Sequence, residues 1–176
     1  MCRAYHRTYG TPVIVTHSCN FFGPYQYPEK LISLFITNLL EQKKVPLYGR
    51  GENVREWIFT EDHCRAVDAI LHKGKPGEIY NIGTGERKKN IDVARAILAE
   101  LGLGEEMIEF VKDRPGHDLR YAVSSAKIKK ELGWSAQTSF REGIQKTVKW
   151  YKDNESWWKK LKSGEYLEYY KKQYEK

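Results

Sequence analysis

Apolar positions along this chain recur with two different periods. Leu31, Leu34, Phe35 and Leu39, and then Ala66, Val67, Ala69, Ile70 and Leu71, fall three and four apart, which places them on one face of a helix. Between such stretches lie short runs rich in β-branched residues. Pro12–Thr16, Val45–Tyr48, Val54–Thr60, Glu78–Ile82 and Ile108–Val111 each have the length and composition of a strand. Helix boundaries can be read from the punctuation. Gly10 closes an opening helix over Met1–Tyr9, and Asp62 opens the helix that carries Ala66 to Leu71. Asn90 is placed to cap a helix through Val93, Ile97 and Leu101 that stops at Gly102. Lys127, Ile128 and Leu132 form a short helix ending at Gly133. Ser139 and Glu142 have capping-box spacing before a helix through Ile144, Val148 and Tyr151. Helices alternating with short strands predict an α/β fold. Pro12–Thr16, a continuous apolar run, reads as a buried parallel strand, and a parallel strand needs a neighbour delivered by a crossover. With only one helix before it, the chain reads as though it begins midway through a larger sheet.

Composition narrows the class of protein. With 176 residues, 40% hydrophobic and 30% charged, the chain has room for one compact domain, or one domain and part of another. No apolar run approaches the ~18 residues that a membrane helix requires. The longest candidate, Leu31–Leu40, is interrupted by Ser33, Thr37 and Asn38, and Met1–Tyr9 has no apolar block behind it that would make a secretory signal. The expected location is the cytoplasm. Cys2, Cys19 and Cys64 lie far apart and are expected to be reduced thiols, and neither they nor the five histidines show metal-ligand spacing. The net charge of +7 invites a polyanion, and its place along the chain matters more than its size. After about Arg141 the sequence becomes dense in Lys, Trp and Tyr. Lys159, Lys160, Lys162, Lys171 and Lys172 interleave with Trp157, Trp158, Tyr166, Tyr169, Tyr170 and Tyr174, a mixture that can hold single-stranded nucleic acid. Glu155, Glu165, Glu168 and Glu175 dilute that field, so an amphipathic, partly packed tail is the preferred reading over a non-catalytic nucleic-acid or anion-binding module.

Three clusters could carry chemistry. The loop Ser18–Tyr25 follows the end of the first strand, where open α/β sheets bind ligands; Asn20 either points its amide there or bonds within its own loop. Arg55 sits inside a strand-like run after the Gly49-Arg50-Gly51 turn. Its planar fork suits a pyrophosphate, and a surface ion pair with a nearby Glu is the other reading. Asp113-Arg114-Pro115-Gly116-His117-Asp118 presents polar groups from a turn stiffened by Pro115 and Gly116. The sequence contains no Gly-x-Gly-x-x-Gly, no Gly-x-x-x-x-Gly-Lys and no Tyr-x-x-x-Lys.

In order along the chain, Asn20-Phe21-Phe22-Gly23-Pro24-Tyr25, Pro28-Glu29-Lys30-Leu31-Ile32, Pro46-Leu47-Tyr48-Gly49, Arg55-Glu56-Trp57, Glu61-Asp62-His63, Tyr80-Asn81-Ile82-Gly83 and Asp113 to Asp118 resemble the extended short-chain dehydrogenase/reductase enzymes, and among them the dTDP-glucose 4,6-dehydratases. That resemblance implies a partial Rossmann sheet followed by a small carboxyl-terminal lobe that binds a nucleotide sugar. It divides the chain into residues 1–25, the end of a Rossmann helix and strand; 26–154, the lobe with interleaved Rossmann elements; and 155–176, the basic aromatic tail.

The resemblance also implies ligand contacts. Asn20 would touch the sugar nucleotide, Lys30 and Leu31 would line its pocket, and Pro46, Leu47 and Tyr48 would cradle the base. Arg55 and Arg114 would face phosphate or ribose oxygens, with Asp113 in the same loop, and Asn81, Asn90 and His117 would complete the wall; for Asn90 this role stands beside that of helix cap. Phe21 departs from the family, many of whose members carry a second Asn there, near the nicotinamide. The family's NAD-binding turn, acid–base carboxylates and tyrosine–lysine pair map onto none of these residues. The expectation is therefore the substrate-binding half of a dehydratase that converts dTDP-glucose to its 4-keto-6-deoxy product, inactive alone and binding no NAD tightly. Its expected partners are a nucleotide sugar, the other half or an intact homologue, and, in full-length form, a second copy. The runner-up is a related NAD-dependent nucleotide-sugar epimerase or decarboxylase.

Overall fold

The order of elements follows the alternation of the two periods. The structure, a computed structural model, describes residues 1–174; Glu175 and Lys176, at the end of the tail, lie outside the described residues. Along the chain come α1 (Cys2–Tyr9), β1 (Val15–Ser18), β2 (Asn20–Phe22), α2 (Leu31–Leu40), β3 (Val45–Tyr48), β4 (Val54–Phe59), α3 (Thr60–Lys73), β5 (Ile79–Ile82), β6 (Arg87–Lys89), α4 (Asn90–Leu101), β7 (Ile108–Val111), α5 (Ala126–Leu132), α6 (Phe140–Asp153), α7 (Glu155–Leu161) and α8 (Glu165–Tyr174). The fold is α/β with parallel strand pairs, as predicted. Its chain forms two compact units, each from three separate segments.

The first unit comprises Met1–Phe21, Arg55–Arg87 and Tyr121–Phe140. Here β1 and β5 pair in parallel, Val15 opposite Ile79 through Ser18 opposite Ile82. The intervening chain supplies the crossover that parallel pairing requires. Pairing starts at Val15, later than the apolar run suggested, because Val13 bonds back to Thr11 and gives its carbonyl to the turn at Gly77. The strand is also half-exposed and not buried. Cys19, Ile58, Ala66, Ile70, Tyr80, Ile82, Ile128 and Trp134 form this unit's core, whereas α1 buries none of its residues.

The second unit comprises Phe22–Val54, Lys88–Arg120 and the chain from Arg141. In it β3 pairs with β7 in parallel, Val45 opposite Ile108 through Tyr48 opposite Val111. Every residue of α2 from Ile32 to Leu39 is buried, so this helix is apolar nearly all round, as an interior helix must be. Its few polar side chains are satisfied: the Ser33 hydroxyl donates to Tyr27 O at 2.8 Å, and the Asn38 amide donates to Lys44 O at 3.2 Å. Two tail residues pack into the interior of this unit. Trp158 of α7 is fully buried and donates its indole N–H to Tyr151 O at 2.8 Å, and Lys162 places its ammonium against Glu41 at 2.9 Å and Asn38 Oδ1 at 3.0 Å.

The helix at Asn90 starts differently from the expected cap. Lys89 holds the N-cap position, with extended backbone at φ −70° and ψ 149°, and Asn90 is the first helical residue. The exposed N–H groups of that first turn are met by backbone, Asn90 N–H bonding Asn53 O and Ile91 N–H bonding Gly51 O, each at 3.0 Å. A side-chain cap is therefore not needed, and the Asn90 amide is freed for something else.

Candidate functional site

In the first unit a cation, a ring and an amide are stacked in sequence. Arg55 is 5% exposed on β4, and its guanidinium carbon lies 4.7 Å from the centre of the Tyr121 ring. The Tyr121 hydroxyl donates to the side-chain Oδ1 of Asn20, at the start of β2. A planar guanidinium held over an aromatic face keeps its orientation while its N–H edge remains able to donate. Its neighbour Glu56 is fully buried and accepts from Gly85 N–H at 2.8 Å and Val123 N–H at 3.3 Å, which ties down the loop that carries Tyr121.

Next to Asn20, Phe21 stacks on His63 with ring centres 4.7 Å apart, and His63 Nε2 bonds Ser18 Oγ at 2.8 Å. Burial holds His63 below the ordinary histidine range, so it is an uncharged imidazole at neutral pH. Asn81, also assigned to this set by resemblance, lies in β5 in register with His17. Asp62, one residue before His63, is fully buried in the first turn of α3. Burial pushes its carboxyl up, but the N–H groups of Gln137 and Thr138 and the Arg65 guanidinium outweigh this and leave it below the usual aspartate value.

The second unit brings together residues from β3, β7 and the loop after β7. Tyr48 ends β3, and the ring of His117 meets it edge-on at 5.9 Å. His117 Nδ1 donates to Asp113 at 2.7 Å, and the same carboxylate accepts from Arg114 N–H at 2.8 Å. The bond from His117 holds the Asp113 carboxyl below its ordinary range. Gly49 is what lets this loop approach: a Cβ there would stand 3.2 Å from the Asp113 carboxylate, and its φ of 56° already disfavours a side chain. The far end of the loop is fixed by Asn53, whose amide donates to Asp118 O at 3.2 Å, and by Val54 N–H to Leu119 O at 2.8 Å.

The remaining residues assigned by resemblance are distributed unevenly. Leu47 is 1% exposed and Pro46 is buried in the same strand, so both side chains are taken up by packing. Lys30 is at the N-cap of α2, exposed and paired with Glu29 at 2.6 Å, with Leu31 the first helical residue. Asn90 is 5% exposed, and its buried Oδ1 has no hydrogen-bond partner among the described residues. Buried acceptors are seldom left unpaired, and this one is ready for a ligand hydroxyl or a bound water. Tyr121 carried no sequence signal, because its partners Arg55 and Asn20 are distant in the chain.

This chain belongs to the GDP-mannose 4,6 dehydratase family, whose model matches residues 1–147. Within it the similarity is to enzymes acting on a dTDP sugar. A dTDP-glucose 4,6-dehydratase from Streptomyces niveus is 49% identical over 160 residues, 91% of this chain and 48% of that protein. The dTDP-glucose 4,6-dehydratase of Streptomyces venezuelae, crystallised with NAD and TYD bound, matches the structure with a TM-score of 0.89 and 51% identity, covering 91% of this chain and 50% of that one. A UDP-glucose 4-epimerase from Thermotoga maritima, solved with UDP-glucose, matches with a TM-score of 0.81 at 27% identity, covering 85% and 49%. The chain spans about half the length of the relatives it matches.

Proposed function

We propose that this chain carries the nucleotide-sugar-binding residues of a dTDP-glucose 4,6-dehydratase. The observation that carries the reading is the Arg55–Tyr121–Asn20 stack, in which a nearly buried guanidinium is held by an aromatic face in the first unit. In this assignment Arg55 takes phosphate or ribose oxygens, Asn20 a sugar-nucleotide hydroxyl, and Asn81 a further polar contact. Tyr48, with the backbone of Pro46 and Leu47, cradles the base. Asp113, Arg114 and His117 take ribose or phosphate oxygens, Asn90 Oδ1 accepts from a hydroxyl, and Lys30 and Leu31 line the pocket. The gap between 51% identity to a dehydratase and 27% to an epimerase favours the dehydratase over the related reactions.

No Tyr-x-x-x-Lys pair occurs in these 176 residues, so the chain on its own is expected to bind substrate without dehydrating it. NAD supplies hydride chemistry in such enzymes, but the present residues do not fit it. The sequence has no Gly-x-Gly-x-x-Gly, and the turn after β1 runs into a further strand, not into the helix N-terminus that would receive a pyrophosphate. Partners in this reading are the nucleotide sugar, a polypeptide supplying the NAD-binding and acid–base groups, and a second copy in the complete enzyme. A cytoplasmic setting, where Cys2, Cys19 and Cys64 stay reduced, belongs to the same reading.

Calorimetric titration of the chain with dTDP-glucose tests the proposal, with UDP-glucose and NAD as controls. Selective, saturable dTDP-glucose binding that is lost in Arg55→Ala is the expected result. Equal binding of unrelated anions, or no binding at all, would overturn it.

A further inference from the structure

The basic aromatic tail has no part in the assignment above, yet its last helix reaches the residue given to the base. On α8, the Gln173 amide donates to the Tyr48 hydroxyl, and the Tyr174 ring lies 5.8 Å from the Tyr48 ring at an interplanar angle of 32°. With His117 edge-on at 5.9 Å, the Tyr48 ring is touched by two aromatic neighbours and bonded at its tip. One turn back along α8, Tyr170 is tied to the interior of the same unit. Asn38 of α2 donates to the Tyr170 hydroxyl at 3.0 Å, Tyr170 and Tyr174 have ring centres 5.0 Å apart, and the same Asn38 accepts from the buried Lys162 ammonium at 3.0 Å. A continuous set of contacts therefore runs from a buried helix, through α8, to one tyrosine.

We infer that Gln173 and Tyr174 are positioning residues for nucleoside recognition: they fix the Tyr48 ring in the orientation against which a nucleotide base packs. The inference rests on the nucleotide-sugar reading and adds to it a part of the chain outside the motifs that carry that reading. A tyrosine at a strand end, joined to the backbone by two rotatable bonds, loses freedom when a base stacks on it. Where neighbouring side chains have already removed that freedom, the loss on binding is smaller, worth about three- to tenfold in affinity for one side chain. The effect is confined to ligands that carry a base, because neither residue is assigned to phosphate.

The test uses the full chain and two probes: dTDP by calorimetry, and inorganic pyrophosphate by its competition with dTDP. Tyr174→Ala and Gln173→Ala should weaken dTDP about three- to tenfold and leave pyrophosphate within about twofold, while Tyr174→Phe, which keeps the ring, should match the parent chain. Equal loss for both probes would reduce α8 to a structural element and overturn the inference, as would unchanged dTDP affinity in both alanine variants. Arg55→Ala separates this from the underlying reading. If it abolishes both ligands while the α8 variants do nothing, only the inference falls; if the parent chain binds neither probe, both fall.

Discussion

Replacing Asp62 should show how much of the first unit depends on one buried carboxylate. Its two oxygens accept from Gln137 N–H at 3.0 Å, Thr138 N–H at 2.8 Å and the Arg65 side chain, and none of its surface is exposed. Hydrogen bonds to a charged acceptor contribute roughly 1.5–3 kcal/mol each, and the Arg65 pair, half in solvent, contributes about 0–1 kcal/mol. Asp62→Ala removes the acceptors of both backbone N–H groups and should cost about 3–5 kcal/mol. Asp62→Asn keeps one acceptor and turns an N–H donor toward the other amide, which should cost about 2–3 kcal/mol. Urea unfolding at pH 7 reads both as a lower midpoint at unchanged slope.

The pH dependence supplies a second check. The folded pKa of Asp62 lies below its ordinary 3.8, so its contribution is complete above the unfolded value and disappears as pH falls through the folded one. The difference between parent and Asp62→Asn should therefore shrink below about pH 4. Unfolding free energies for both variants within about 0.5 kcal/mol of the parent, as for an ordinary surface change, would refute the claim that this carboxylate holds residues 137–138.

Other expectations follow from single contacts. Gly51→Ala should lower the unfolding free energy from urea titration by about 1–3 kcal/mol, because a Cβ there would stand 2.6 Å from Leu47 Cδ2 at a backbone φ of 69°; an unchanged value would show that β3 and α4 yield easily. Cys19 is buried, and its thiol is pushed up to about 12, first by burial and then by the charge of Glu56. A thiol reagent at pH 8 should thus titrate the exposed Cys2 and Cys64 quickly and Cys19 only after denaturant is added; three rapid equivalents would contradict its burial.

Much of this architecture is legible in local sequence, and the exceptions share a cause. Val45–Tyr48, Ile108–Val111 and the α2 and α5 helices lie where β-branched runs, helical spacing and closing glycines place them, and Gly10, Gly102 and Gly133 all adopt the left-handed conformation of a helix end. The short β2 and β6 escaped notice because three residues are too few for a period to appear, and β6 reads Arg-Lys-Lys. Asn90 has every attribute of a cap, but a cap is chosen by competition, and the carbonyls of Asn53 and Gly51 satisfy the helix start first. The same limit applies to the site. Arg55 and Asn20 stood out by residue type and position, whereas Tyr121, which joins them, acquires its role only when distant segments meet. In the tail, the mixture of charge and aromatics indicated a partly packed segment, but which residues turn inward, Trp158 and Lys162, is settled by contacts with distant parts of the chain.

Because each compact unit is assembled from three stretches of chain, the polypeptide passes from one unit to the other five times. A single genetic crossover can therefore never exchange one unit cleanly for that of a relative: wherever the break falls between Phe22 and Phe140, both units inherit residues from both parents. A chimera that exchanges the whole second unit would have to carry Phe22–Val54, Lys88–Arg120 and the chain from Arg141 together, which takes five joins in place of one.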